Sequence, residues 1–246
     1  MSQTDDARAA RLALDRLLET DAPALRAGLP PGFADAAEDY VRLLLEANAR
    51  LNLTRVVEPD AVARLHILDS LAALPMLPTS GAAVDLGSGG GVPGIVLALA
   101  RPDLAWTLVD SVGKKARALR GFVASLGLTN VEVLADRAEV LGRGPLRASF
   151  DLVAARACAA LPVLAEYALP LLRVGGTLVA WKGPISAEEL SAGAVASELL
   201  GGGVPEVRTT GVVALGDHRF VLVGKVRPTP ARWPRRPGEP ARRPLG

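Results

Sequence analysis

The chain of 246 residues contains one cysteine and two histidines. Cys158 alone closes no internal disulfide, and so few soft donors exclude the His/Cys clusters that hold a metal. No uninterrupted apolar run is long enough to span a bilayer. The first residues, MSQTDDARAARLALDRLL, are charged throughout and lack the apolar stretch of a secretory signal. Lysine is scarce too, at 4 against 24 arginines. These absences predict a soluble, cytoplasmic, metal-free protein. Half of the residues are apolar, which suffices for one large domain or one domain with an accessory segment.

Positive charge is unevenly placed. Residues 227–246 carry six Arg and one Glu, a net +5, against −3 for the rest of the chain. Six prolines interrupt the same stretch, so it is expected to hold little regular structure and to stay extended. Arg232, Arg235, Arg236, Arg242 and Arg243 would then meet a polyanion, with Trp233 either stacking on an unpaired base or pinning the tail. A tail of that kind should be removable with little effect on the body.

Three amphipathic helices are expected over residues 5–20, 34–50 and 59–74, the second from the spacing of Ala37, Tyr40, Val41, Leu44 and Leu45. From Ala82 the pattern changes to short valine-rich runs, AAVDL, WTLVD, VEVLA, FDLVAA and TLVAW, separated by helical stretches at 94–100, 113–126, 137–141 and 160–172. This alternation predicts an α/β fold with a doubly wound, mostly parallel sheet. Two later runs, VRTTGVVAL and RFVLVGKV, read as an antiparallel pair at its edge and bring the strand count to seven. The chain divides accordingly into a helical cap (1–78), the sheet domain (79–227) and the basic tail (228–246).

The stretch VDLGSGGGVPG places five glycines between Gly87 and Gly94, directly after the first strand. In a doubly wound sheet that is where ligands bind. Gly89, Gly91 and Gly94 satisfy the dinucleotide spacing G-x-G-x-x-G, although Gly87-Ser88 separate the strand from its first glycine. The alternative register, Asp85-x-Gly87-x-Gly89-x-Gly91, resembles the first motif of class I S-adenosylmethionine-dependent methyltransferases. The second strand ends at Asp110, 25 residues after Asp85, where a carboxylate can accept both hydroxyls of a ribose or cap the next helix. Asp136 follows the third strand, on the side where an adenine would lie.

NLTRV (52–56), HILDS (66–70), DLGSGGGVPGI (85–95), VDSVGKKARAL (109–119), DRAEVL (136–141), ARACAAL (155–161) and WKG (181–183) occur in this order. Together they closely resemble the bacterial ribosomal RNA small-subunit methyltransferase G family, also called glucose-inhibited division protein B. The resemblance runs from about Tyr40 to Val226, and ARWPRRPGEPARRP is similar to the basic, Pro-rich ending of many members. It implies a Rossmann-like class I fold, S-adenosyl-L-methionine as cofactor, and N7 methylation of one guanine in 16S rRNA, presented as RNA or as a small-subunit particle, by a monomer. Matched by position, it implies cofactor contacts from Gly87, Val92, Ala138, Glu139 and Arg156, with Asp85, Gly89 and Asp110 in support. Many relatives have G-T-G-P-G-L-P-G where this chain has G-S-G-G-G-V-P-G. Relatives often carry Phe at the position of Cys158, which gives the cysteine no catalytic role.

Arg156 and Lys182, following the fourth and fifth strands, are the expected catalytic-rim residues. Arg156 suits either the cofactor carboxylate or guanine O6. Lys114, Lys115 and Arg117 suit phosphate or solvent, His66 an RNA contact or a buried structural position, and Asp69 a hydrogen-bond acceptor within its helix. Guanine N7 loses no proton on methylation, so alignment is needed and a general base is not. The D/N-P-P-Y/F motif used on exocyclic amines is absent, as is the second cysteine usual in pyrimidine C5 methyltransferases. An NAD-dependent oxidoreductase and a noncatalytic RNA-binding module stand as alternatives; the first lacks a hydride-handling acid/base set, and the cofactor motifs weigh against the second.

Overall fold

The computed structural model describes residues 2–246. Ser2 caps the first helix, Gln3–Thr20, by accepting the Asp5 N–H while Asp5 accepts the Ser2 N–H. The helix Phe33–Leu51 buries the predicted stripe of Ala37, Tyr40, Val41, Leu44 and Leu45 and ends at Asn52, whose left-handed φ of +50° stops it. A third helical run covers Pro59–Val62, a π-helical turn Ala63–Leu68, and Asp69–Leu71. Such turns concentrate at functional sites, and this one carries His66.

Seven strands follow: β1 (Gly81–Leu86), β2 (Leu104–Val109), β3 (Val131–Leu134), β4 (Phe150–Arg156), β5 (Leu172–Lys182), β6 (Glu206–Thr209) and β7 (Arg219–Gly224). Their order in the sheet is β3-β2-β1-β4-β5-β7-β6. β1 to β5 are parallel; β7 runs antiparallel to β5, and β6 antiparallel to β7 at the edge. The order reverses between β1 and β4, which opens a crevice at the carboxyl ends of these strands. Because β7 is antiparallel, its first residue, Arg219, pairs with Lys182 at the end of β5. His218 therefore arrives at the same rim as the ends of the parallel strands.

Apolar residues cover both faces of the sheet. On one, the N-terminal helices share a core with Ile95, Leu97, Trp106, Leu108 and Phe220. On the other, Leu161, Leu164 and Ala165 of the helix Leu161–Ala168 and Ala196 of the helix Ala187–Leu199 pack on Val84, Val153, Leu178 and Val221. The helix Ala187–Leu199 was not expected. Its Ala, Ser and Gly residues form no apolar stripe, and its one sequence signal is the cap, where the Ser186 hydroxyl accepts the Glu189 N–H at 3.2 Å.

Residues 228–246 do hold little regular structure, with one helical turn at Glu239–Arg242. The tail does not stand free of the body, and of the two readings of Trp233 its packing matches the one that pins the tail. The segment folds back onto the body, because the body presents it with buried charge. Glu166, fully buried, takes a forked ion pair from Arg235 (Nε–Oε1 2.9 Å, Nη2–Oε2 2.5 Å) and also accepts the Arg235 N–H at 2.7 Å. Arg143 and Arg147 donate to the Pro234 and Trp233 carbonyls, each at 2.7 Å. Trp233 packs on the second core face with Arg232 and Arg235 over its ring, 5.5 and 5.3 Å from the centroid.

Candidate active site

The glycine loop leaves β1 by a sharp turn tied to the neighbouring strand. The N–H groups of Gly87 and Ser88 both reach the Val109 carbonyl, at 2.9 and 3.0 Å. Gly87, Gly89 and Gly91 have φ of +73°, +57° and +99°, a region that side chains disfavour. Gly94 is needed for another reason: a Cβ there would lie 2.3 Å from the Leu108 side chain and 2.6 Å from the Asp85 carboxylate. Tyr40, fully buried, donates its hydroxyl to the Gly90 carbonyl at 2.9 Å and so ties the N-terminal helices to the loop.

Two carboxylates organise the turn. Asp110 accepts the Gly89 N–H on one oxygen (3.0 Å) and the Val112 N–H on the other (2.8 Å). Each oxygen keeps a second lone-pair site. Asp85 is 1% exposed; one oxygen accepts the Gly94 N–H at 3.1 Å and the other has no partner. Burial pushes the Asp85 carboxyl up to about 7, against the pull of the Gly94 hydrogen bond and of the Arg156 charge.

At the end of β4, Arg156 turns toward the π-helical turn. Its guanidinium donates to Asp69 at 3.1 Å, to the Leu65 carbonyl, and to Nδ1 of His66 at 3.2 Å. Arginine can only donate, so Nδ1 is the acceptor and Nε2 carries the hydrogen given to the Thr54 hydroxyl at 2.8 Å. Burial, and then the Arg156 charge, push His66 down to about 4, so the imidazole is neutral at neutral pH. Of the two readings of His66, the buried structural one holds.

Asp69, 2% exposed, joins this set to a second histidine, accepting from Nδ1 of His218 at 2.9 Å while its backbone carbonyl accepts the Trp181 indole N–H at 2.9 Å. Its partners lie in other elements, so its role reaches beyond its own helix. Lys182 donates to the Ala159 carbonyl (2.9 Å) and to Glu189 (2.7 Å). Between them, Ala157 holds a strained φ of +51°. Cys158 reaches solvent, yet burial of its thiol and then the Asp85 and Asp110 charges push the thiol up to about 11. It is no thiolate at neutral pH.

Part of this set lines two adjoining cavities. Thr54, His66, Gly87, Gly89, Val92, Lys115 and Arg156 border a cleft of about 190 Å³ along the glycine loop. Asp69, Arg156, Cys158, Trp181, Lys182 and His218 border a second cavity of about 360 Å³. Arg156 and Ala157 belong to both. Asp85 and Asp110 border neither, as they hold the glycine loop from behind, and nor do Ala138 and Glu139, which sit in the short helix Ala138–Leu141 beyond β3. Glu139, 3% exposed, accepts the Gly238 N–H of the tail at 2.8 Å. Asp136 is half-buried and accepts the adjacent Arg137 N–H, while Lys114 and Arg117 face solvent. His218, Thr54 and Tyr40 were not foreseen as site residues; the first meets its partner across 149 residues of chain, a closure no local pattern signals.

A model of the family described as rRNA small subunit methyltransferase G matches residues 34–212. The chain belongs to that family. A ribosomal RNA small subunit methyltransferase G from Moorella thermoacetica is 42% identical over 94% of this chain and 98% of its own length. One from Deinococcus deserti is 50% identical over 82% of this chain and 85% of its own. Among solved structures, a SAM-dependent O-methyltransferase from Thermotoga maritima matches with a TM-score of 0.51 at 16% identity, over 75% of this chain and 71% of that one. At that identity the likeness speaks for the fold, which is that of a Rossmann-like class I methyltransferase. Among the described residues, no helix is long and apolar enough to cross a membrane.

Proposed function

We propose that the protein transfers a methyl group from S-adenosylmethionine to N7 of one guanine in 16S rRNA of the small ribosomal subunit, and does so in the cytoplasm. The observation that carries this reading is the wall shared by the two cavities. Arg156 and Ala157 face both the glycine-loop cleft and the space beside Trp181, so two ligands would meet there edge to edge. Methyl transfer between a bound cofactor and a bound base needs that adjacency.

The residues present fit the cofactor. Asp110 has one lone-pair site left on each oxygen for a pair of ribose hydroxyls, and Asp85 offers an unpartnered buried oxygen. Gly87 and Gly89 let the backbone approach the ligand, and a Cβ on Gly87 would lie 2.8 Å from the Cys158 sulfur. When bound, S-adenosylmethionine supplies an electrophilic methyl on a sulfonium. The chain's own groups then orient and desolvate. Arg156 holds its guanidinium at the junction beside Asp69, and His66 steadies it by accepting one of its N–H groups on Nδ1. Trp181, edge-on to Phe220 at 5.2 Å, gives the second cavity a stiff apolar side. The Asp69 carboxylate is committed to Arg156 and His218, in keeping with a transfer that removes no proton.

One observation favours a second reading. Asp69 holds Nδ1 of His218 and leaves Nε2 free on a side chain 40% exposed, an arrangement that would serve as a base for an amine. Mass mapping of 16S rRNA methylated by the protein separates the two. The N7 reading expects one 7-methylguanine and a single-turnover rate that His218→Gln leaves without a lost basic limb. A methyl on an exocyclic amine, or no product, overturns it.

A further inference from the structure

The docked tail leaves three guanidiniums with nothing to bind. Arg235 is used by Glu166, but Arg236, Arg242 and Arg243 have no carboxylate within ion-pair distance among the described residues. With Glu239 they line an open cleft of about 500 Å³ and give it a net +2 charge. All three arginines are exposed, and the backbone that carries them is fixed on both sides. Arg235 is locked to Glu166, Gly238 donates to Glu139, Pro240 after them is buried, and Leu245, beyond the last of the arginines, packs on the second core face. Three like charges held together at a fixed place are costly unless an anion joins them. A free chain would spread them apart, and the Glu166 and Glu139 contacts prevent that.

We propose that this cleft is a preformed seat for the RNA backbone, in which Arg236, Arg242 and Arg243 grip consecutive phosphates at a set distance from the methyl-transfer site. The inference rests on the rRNA reading above. It differs from a flexible basic tail in one respect: geometry, and not charge alone, supplies the affinity. Glu139 follows β3 on the parallel-strand side of the sheet, so the seat and the cofactor cleft belong to one rigid frame. Phosphate contacts there fix the position of the RNA, and choice of the base is left to the second cavity.

The test uses the full chain and a 16S rRNA transcript, with binding measured across a salt series and methyl incorporation measured in parallel. The triple variant Arg236→Ser, Arg242→Ser, Arg243→Ser should bind roughly five- to thirty-fold more weakly. Its slope of log K against log salt should be shallower by about 2, with S-adenosylmethionine affinity unchanged. A control triple, Arg8→Ser, Arg16→Ser, Arg26→Ser, removes as many positive charges from arginines that each already pair with a carboxylate, and should shift binding less than threefold. Glu166→Gln is the sharper probe. It makes the protein more positive while freeing the tail, and the seat predicts weaker RNA binding in spite of that. Equal losses in the two triples, or unchanged or tighter binding by a folded Glu166→Gln protein whose tail has become protease-sensitive, would overturn the seat. Should Glu166→Gln not fold, the exposed triple decides alone. RNA binding with no methyl transfer by the unaltered protein counts against the enzymatic reading only; no RNA binding counts against both.

Discussion

Replacing Asp110 by Asn keeps the shape of the side chain and exchanges one oxygen for an amino group. In the native turn both oxygens are in use, one for Gly89 and one for Val112. Whichever way the amide turns, its NH2 faces one of those backbone donors. One of the two ribose hydroxyls also loses its charged acceptor. A hydrogen bond to a charged group is worth about 1.5–3 kcal/mol, so affinity for S-adenosylmethionine should fall roughly 10- to 150-fold. The unmatched backbone donor costs a further ~1–3 kcal/mol of stability, or about 2–10 °C in Tm for a chain of this size. Titration calorimetry gives the first number and thermal unfolding the second. Glu132→Gln, on an exposed carboxylate of β3, serves as control and should alter neither. An Asn variant that binds within twofold of the native protein would refute the assignment of Asp110 to the ribose.

Three further outcomes are expected. Tyr40→Phe strands the Gly90 carbonyl in the core, which should lower Tm by about 2–10 °C and weaken cofactor binding; an unchanged Tm would mean that the loop is held without this bond. Burial raises the Asp85 carboxyl to about 7 from an ordinary 3.8, so the native state carries an extra proton between those values, and stability from this group, full below about 4, is lost as pH rises through 7. Asp85→Asn removes that loss, so its stability relative to the native chain should improve by roughly 2–3 kcal/mol from pH 5 to pH 8, and a difference that does not vary with pH would contradict the account. Deleting residues 228–246 leaves Glu166 bare in the core, at a cost of about 3–5 kcal/mol, and a Tm lowered by less than about 2 °C would show that the tail is a passive appendage.

Periodicity alone marked the parallel strands and the helices between them. Each is a local pattern of burial, as in Ala37, Tyr40 and Leu44 on one helix face. The glycine loop was also legible, because positive φ and the close approach at Gly94 both demand glycine and leave a compositional trace. The helix Ala187–Leu199 left only its Ser186 cap, since small residues pack closely on Leu161 without forming a stripe. The link between Asp69, Arg156 and His218 was hidden for another reason. It depends on β7 running antiparallel to β5, and charge pairing across a rim is a property of topology. The tail misled because its composition fits disorder, while the buried Glu166 that captures it lies 69 residues earlier.

That separation has a consequence for how the molecule is made. Glu166 leaves the ribosome 69 residues before Arg235, and Glu139 leaves it 99 residues before Gly238. At translation rates of about 5–20 residues per second, these carboxylates wait roughly 3–20 s for their partners. The sheet is complete by Gly224, but the Glu166 charge is neutralised only once Arg235, 11 residues further on, is in place. A nascent chain that stalls between Gly224 and Arg235 leaves Glu166 without the cation that pairs with it. Synthesis of the segment from Arg235 to Gly238 is thus the step that satisfies both buried carboxylates.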